Sequence, residues 1–273
     1  MIGVVTDSSC DLPHDVAADH LISVVPLTIR FGDREFVDRH ELTVGEFWDR
    51  VATGPDLAET AAPSVGRFLT KLQALAEAGA SGAVIVTLSS AISGTHAAAV
   101  LAADDAPLPV RVVDSRLVSG ALGLAVIDTA EAARQTDDLD AVEAAAREAC
   151  DAGRLFAALD TLDHLRRGGR IGPAAAFFGS LLDVKPLITF TDGAVAAAGR
   201  VRTRTKAVAA VLDHVASLEG VRRIGIISTD RSPDPAVVSA VAGAAGQEPL
   251  LMQIGPVVGS HAGPGVLGVV YLT

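Results

Sequence analysis

Four hydroxyl side chains, Ser89, Ser90, Ser93 and Thr95, crowd the eight-residue stretch from Leu88 to Thr95. Ala83-Val84-Ile85-Val86 before it reads as a buried strand, and the Ala-rich stretch from His96 to Ala103 after it reads as a helix. A Ser-Gly-Thr turn between a strand's carboxyl end and a helix start gathers free N–H groups and hydroxyls about one point. That arrangement suits an anionic group. The same residue types also serve as a plain helix N-cap, and the residues alone leave both readings open.

Other segments could join such a site. Thr60 lies just outside the helix start at Pro63-Ser64, where Ser64 is placed as an N-cap, and could offer its hydroxyl from the same rim as Ser93. Arg166-Arg167-Gly168-Gly169-Arg170-Ile171 is a basic glycine-bearing turn, and Arg200, Arg202 and Arg204 share one face of an extended segment. From Asp163 to Lys206 there are eight basic and three acidic residues, a local +5 in a chain of net charge -11. This concentration points to an anion or an acidic partner. Gly255 to Gly265 reads as a long glycine–proline loop in which His261 is the one titratable residue, with backbone open to close approach by a ligand.

At the other end, Thr6-Asp7-Ser8-Ser9-Cys10-Asp11-Leu12 leaves an apolar strand. An acid there suits an aspartyl-phosphate nucleophile, but the second acid that chemistry needs two residues on is Ser9. A dinucleotide site needs glycines at this turn, and there are none. The segment reads best as a polar cap on the strand end.

The elements that must position these residues alternate. Ile2 to Thr6, Ala83 to Val86 and Val110 to Val113 are short buried strands, separated by helices after Thr43, Ser64, Gly94 and Ser119. Thr43 and Glu46 have capping-box spacing. Ser23 to Phe31 and Glu35 to Asp38 read as hairpin arms around Gly32-Asp33. Past Cys150 the rhythm changes. A strand at Arg154 to Leu159 leads to short helices at Leu162 to Arg167 and Pro173 to Leu181, then to paired strands at Val184 to Phe190 and Ala194 to Val201. A helix from Thr203 to Leu218, a strand at Arg223 to Ser228, a helix at Pro235 to Ala245 and a strand at Val266 to Leu272 complete it. The pattern predicts an α/β fold of two domains. Residues 1–150 form an N-terminal three-layer α/β/α domain with a mainly parallel sheet, and residues 151–273 a C-terminal mixed-sheet α/β domain.

Composition excludes several classes. The negative charge argues against nucleic acid and against general binding to anionic membrane. The two cysteines, Cys10 and Cys150, lie far apart without metal-site spacing. No leader and no spanning run is evident, so a cytoplasmic location is expected. With aromatics at 4%, any apolar cavity must be lined mainly by aliphatic side chains, which suits a flexible chain better than a flat ring.

In order along the chain, Thr6-Asp7-Ser8-Ser9, Thr60 with Pro63-Ser64, Leu88-Ser89-Ser90 with Ser93-Gly94-Thr95, Asp114-Ser115 with Ser119, Gly168-Gly169-Arg170-Ile171, Lys185-Pro186, and His261 with Gly263-Pro264-Gly265 form a set. This set resembles the DegV family, bacterial fatty-acid-binding proteins that carry lipid for fatty acid kinase. The resemblance implies an acyl chain buried in a tunnel, with its carboxylate at Thr60, Ser93 and His261 and at backbone groups of Gly94 and Thr95. It implies a non-enzymatic role, with a separate ATP-binding kinase subunit making the acyl phosphate. Arg170 and Arg202 match basic positions tied to kinase docking or the phosphoryl group. Transient membrane contact is compatible with such a carrier. Ala61-Ala62, Ala91 and Ala262 depart from the common pattern.

No cofactor is expected on this chain. It lacks a GxxxxGK[ST] loop, so ATP and magnesium belong to the partner. The alternative from another class is a serine hydrolase acting on acyl esters, with Ser93 as nucleophile, His261 as base and Asp114 or Asp7 as orienter. It lacks the GxSxG elbow. A dinucleotide-dependent enzyme is a third reading, without its glycine fingerprint.

Overall fold

A computed structural model describes residues 1–54, 57–178 and 184–273. The strands are β1 (Ile2–Asp7), β2 (Ile22–Val25), β3 (Thr28–Phe31), β4 (Arg34–Val37), β5 (Ala58–Ala61), β6 (Gly82–Thr87), β7 (Val110–Asp114), β8 (Gly153–Ala158), β9 (Lys185–Thr191), β10 (Ala194–Val201), β11 (Arg223–Ser228), β12 (Leu250–Gln253) and β13 (Leu267–Leu272). The helices are α1 (His14–Asp19), α2 (Val44–Thr53), α3 (Val65–Glu77), α4 (Thr95–Asp104), α5 (Ser119–Ala133), α6 (Leu139–Ala152), α7 (Asp163–Arg167), α8 (Ala174–Phe178), α9 (Arg204–Ala216), α10 (Pro235–Ala245) and α11 (Pro256–Ala262).

The first sheet has the order β2-β1-β6-β7 and is parallel throughout. Every residue of β1 and β6 is buried, as expected of strands covered on both faces. Phe68 and Leu72 of α3 and Ala99 and Ala102 of α4 close one face against Val5, Val25 and Ile85. Helices α5 and α6 close the other.

The second sheet, β10-β9-β8-β13-β11-β12, is mixed, with β11 and β12 parallel and the remaining pairs antiparallel. Val211 and Val215 of α9 and Val237 and Val241 of α10 cover one face. The other face receives α5, which therefore packs between the two sheets. Such a position needs small residues: a Cβ at Gly120 would meet Met252 Cε at 2.6 Å, and one at Gly123 would meet the Cys10 carbonyl oxygen at 2.6 Å. The fold class read from the sequence agrees with this α/β architecture of parallel and mixed sheets.

A third, small antiparallel sheet, β4-β3-β5, was not foreseen. Ser23 to Phe31 is not one hairpin arm. Pro26 supplies no ladder N–H, Leu27 N–H donates to Ser8 Oγ at 3.1 Å, and the chain passes from β2 into β3. The β3–β4 hairpin around Gly32-Asp33 does form. Ala58-Glu59-Thr60-Ala61 has no strong strand signature; it is a strand because it pairs with β3, placing Thr60 opposite Ile29.

Two further expectations are corrected. Gly255 to Gly265 is not a loop but carries α11, with Pro256 in its first turn and Gly263 ending it at φ 73°, the usual proline-start, glycine-stop asymmetry. Arg200, Arg202 and Arg204 do not share an extended face. Arg200 is in β10, Arg202 is in the bend that follows, and Arg204 opens α9 behind the Thr203 N-cap. The helix expected over Pro173 to Leu181 is seen as α8, and residues 179–181 of that expectation lie outside the described residues. Helices α1 and α6 and strand β12 were also missed. The Thr43–Glu46 capping box is present in both directions.

Candidate functional site

Strand β5 delivers Thr60 and helix α11 delivers His261 to the same point. Thr60 Oγ1 and His261 Nε2 are 2.8 Å apart. Helix α11 is held there by close packing on several sides. A Cβ at Gly259 would meet Phe47 at 2.7 Å and Trp48 at 2.8 Å, and one at Gly263 would meet His164 at 2.3 Å. Trp48 Nε1 donates to the Ile254 carbonyl at 3.0 Å, just ahead of the helix.

Burial, and secondarily the nearby Arg170 cation, pushes the His261 imidazole down from 6.5 to about 4. The ring is therefore neutral at pH 7. Among the described residues its Nδ1 has no hydrogen-bond partner, and it faces Gly168, where a Cβ would stand 2.3 Å away. When Thr60 donates to Nε2, the ring proton resides on Nδ1 and is free for an acceptor. His164 is also lowered, by burial and then by Arg167.

Thr60, Arg167, Gly168, Arg170 and His261 line a polar pocket of 230 Å³ with Glu59, His164 and Ser260. Arg170 and His261 also line an apolar cavity of 80 Å³, walled by Leu155, Leu159, Ile188, Phe190, Ile227 and Val258 among others. The two spaces meet at these residues. Arg170 is fixed there by donating from Nε to the Ile92 carbonyl at 3.2 Å and from Nη1 to the Gly168 carbonyl at 2.7 Å.

Ser93 stands beside this pair rather than in it. Its Oγ lies 2.9 Å from Thr95 Oγ1 and accepts from Thr95 N–H at 3.3 Å, and it lines neither space. Its link to the pocket runs through Ile92, whose carbonyl Arg170 holds. Gly94 caps α4, and a Cβ there would be 4.0 Å from Ala62, so the hydroxyl turn and the end of β5 are neighbours. Arg202 is exposed and makes no hydrogen bond or ion pair with a described residue. Sequence reasoning missed Glu59, His164 and Ser260; only the basic turn beside His164 hinted at that wall.

The residues of the hydrolase reading have other partners. Asp114 accepts from Ser90 N–H and Oγ and from Arg116 N–H. Asp7 is fully buried, accepts from Ser9 N–H, Ser9 Oγ and Leu88 N–H, and is raised mainly by burial. It ties the end of β1 to the 88–95 turn, as its reading as a cap anticipates. Neither acid orients His261.

The DegV family model, described as "Uncharacterised protein, DegV family", matches residues 1–273. The chain belongs to the DegV family. A DegV domain-containing protein of Streptomyces coelicolor is 39% identical over 98% of this chain and 97% of its own length. Among solved structures, a DegV family protein from Thermus thermophilus, described as fatty acid binding, superposes with a TM-score of 0.86 at 33% identity. It covers 100% of this chain and 99% of its own. DegV of Bacillus subtilis, described as a fatty acid binding protein, gives 0.89 at 29% identity, with 100% and 99% covered. No helix among the described residues of this DegV-family chain is long and apolar enough to cross a membrane.

Proposed function

We propose that this DegV-family protein binds a long-chain fatty acid and presents its carboxylate to a separate ATP-binding kinase subunit for acyl-phosphate formation. The observation that carries the reading is the junction at Arg170 and His261, where a pocket containing several hydrogen-bond donors adjoins an aliphatic cavity. Fatty acid binding by the Thermus and Bacillus relatives supports it.

In this reading the Thr60–His261 bond parts on loading, and the carboxylate accepts from the Thr60 hydroxyl and from a His261 N–H, with Ser93 and the Gly94–Thr95 backbone completing the mouth. The Arg170 guanidinium adds positive potential. Burial stabilises by about 0.8 kcal/mol per CH₂, so a sixteen-carbon tail supplies roughly 12 kcal/mol before ordering losses. Hydrogen bonds to a charged head add about 1.5–3 kcal/mol each, much of it offsetting desolvation. The tail thus sets affinity and the head-group residues set position. At roughly 10–15 Å³ per water-sized site, the 80 Å³ cavity accepts only part of such a tail, so loading parts its walls. Arg170 and Arg202 meet the kinase or the phosphoryl group.

Mass spectrometry of lipid extracted from natively purified protein tests the ligand, with one saturated or monounsaturated acid per chain expected. Its absence, together with no uptake of added oleate, overturns the reading. Acyl-phosphate formation with the kinase subunit, ATP and magnesium tests presentation. Ser93→Ala should slow it, and an unchanged rate counts against Ser93.

A further inference from the structure

A second pocket, of 480 Å³, shares no lining residue with the acyl-chain site. It lies where two parallel strand pairs end. Ser8 follows β1, Pro26 follows β2, Asp230 follows β11, and Gln253 closes β12; all four line it. The carboxyl ends of parallel strands are where α/β sheets bind small molecules, and the volume is in the range of such sites, roughly 300–1,000 Å³.

The pocket holds a buried acid in a lining with one negative charge in excess. Asp38 is fully buried, and among the described residues neither carboxylate oxygen has a hydrogen bond of good geometry, although the Ser8 hydroxyl and the Arg39 N–H and guanidinium lie close enough to stabilise its charge. Its backbone is pinned: Asp38 N–H donates to the Leu27 carbonyl at 3.0 Å, and the next residue, Arg39, donates to Leu42 from a left-handed φ of 60°. The Arg39 side chain bonds elsewhere, to the Leu12 carbonyl at 2.6 Å and to Asp11 at 3.4 Å. Asp11 is also served by Ser119 Oγ and Gly255 N–H. Asp230, Arg231, His14 and His40 at the rim are exposed. Asp11 and Asp38 share the one guanidinium of Arg39, so three acids and two arginines leave the lining one negative charge in excess. Buried polar groups in native folds have partners, and a buried carboxylate needs donors that carry positive charge.

We infer that this pocket binds a small organic cation, an alkylammonium or alkylguanidinium, whose N–H groups are taken by Asp38 while its alkyl part lies against Leu12, Val24 and Leu251.

The test is calorimetric titration of the full-length protein with butylguanidinium and butylammonium at neutral pH. Butyltrimethylammonium, which has the charge without N–H donors, and butyrate are the controls. Saturable one-to-one binding of at least one N–H cation is expected, weakened about tenfold or more in Asp38→Asn and near pH 5. Burial raises Asp38 to about 6, against Arg39, Ser8 and His40. Asp11 is raised to about 6 as well, so Asp38→Asn separates the two acids. Should Asp38→Asn fold poorly, Leu251→Trp, at a half-exposed wall position, should block the pocket and leave fatty acid loading unchanged. Failure of both N–H cations to saturate, equal binding of butyltrimethylammonium, or undiminished binding by Leu251→Trp overturns the inference and leaves Asp38 to water.

Discussion

Thr60 and His261, 201 positions apart in the chain, share a hydrogen bond of 2.8 Å at the boundary between a polar pocket and an aliphatic cavity. Each is brought there by an element with little identity of its own, a four-residue strand and a seven-residue helix. The pair is a joint product of distant segments and can be dismantled from either side.

Removing the hydroxyl is the direct way. Thr60→Val keeps a branched side chain but strips His261 Nε2 of its partner, an unmet bond worth about 1–3 kcal/mol. Fatty acid affinity should fall about tenfold or more in a displacement titration with a fluorescent acyl probe. The delipidated variant should also melt earlier than delipidated wild type.

The histidine makes a pH signature. An unfolded chain protonates His261 near 6.5 and the fold resists until about 4, so the unfolded state binds the extra proton between these values. Stability from this group is full above about 6.5 and is lost as pH falls toward 4, by on the order of 3 kcal/mol at most. Asp11 and Asp38, raised from 3.8 to about 6, act oppositely: the fold holds protons the unfolded chain has released, and that contribution is lost as pH rises. Urea denaturation of wild type and His261→Gln across this window isolates the histidine. Wild-type stability minus variant stability should climb with pH, and a flat difference would refute the neutral ring.

A steric test acts on the same ring. Gly168 has φ -74°, so alanine fits its backbone, yet the added Cβ would stand 2.3 Å from His261 Nδ1. Gly168→Ala should destabilise by about 1–3 kcal/mol and displace the ring. Retained far-ultraviolet dichroism with lost acyl binding is the expected result; unaltered binding would show that Nδ1 has no part in it.

Tail length has its own handle. Val118 lines the apolar cavity. Val118→Phe should shift the acyl chains retained on native purification toward shorter ones, read by mass spectrometry. An unchanged lipid profile would place the tail elsewhere.

The alternating strands and helices were legible because their signals are local. Buried runs such as Ala83-Val84-Ile85-Val86 and capped starts such as Thr43 need no distant partner to be recognised. The third sheet was not legible, since Ala58 to Ala61 becomes a strand only through pairing with β3. His261 was seen as reactive but placed in a loop, although Pro256 and Gly263 bracket a helix. Thr60, Ser93 and His261 were picked out together on a family resemblance, and the structure joins two of them directly. Ser93 turns to Thr95, a local bond that residue types cannot rank against a longer-range one. Nothing in the sequence marked Asp38, because its burial is a property of packing alone.

The last strand to be reached along the chain, β13, is also an inner one, laid between β8 and β11. Until it arrives, β10-β9-β8 and β11-β12 are two separate ribbons, each with a bare row of amide and carbonyl groups inviting another molecule to pair. Joining them requires contacts remote in sequence, which slows assembly. Removing β13 would therefore do more than shorten the protein: it would split the sheet in half and turn a folded chain into an aggregation seed.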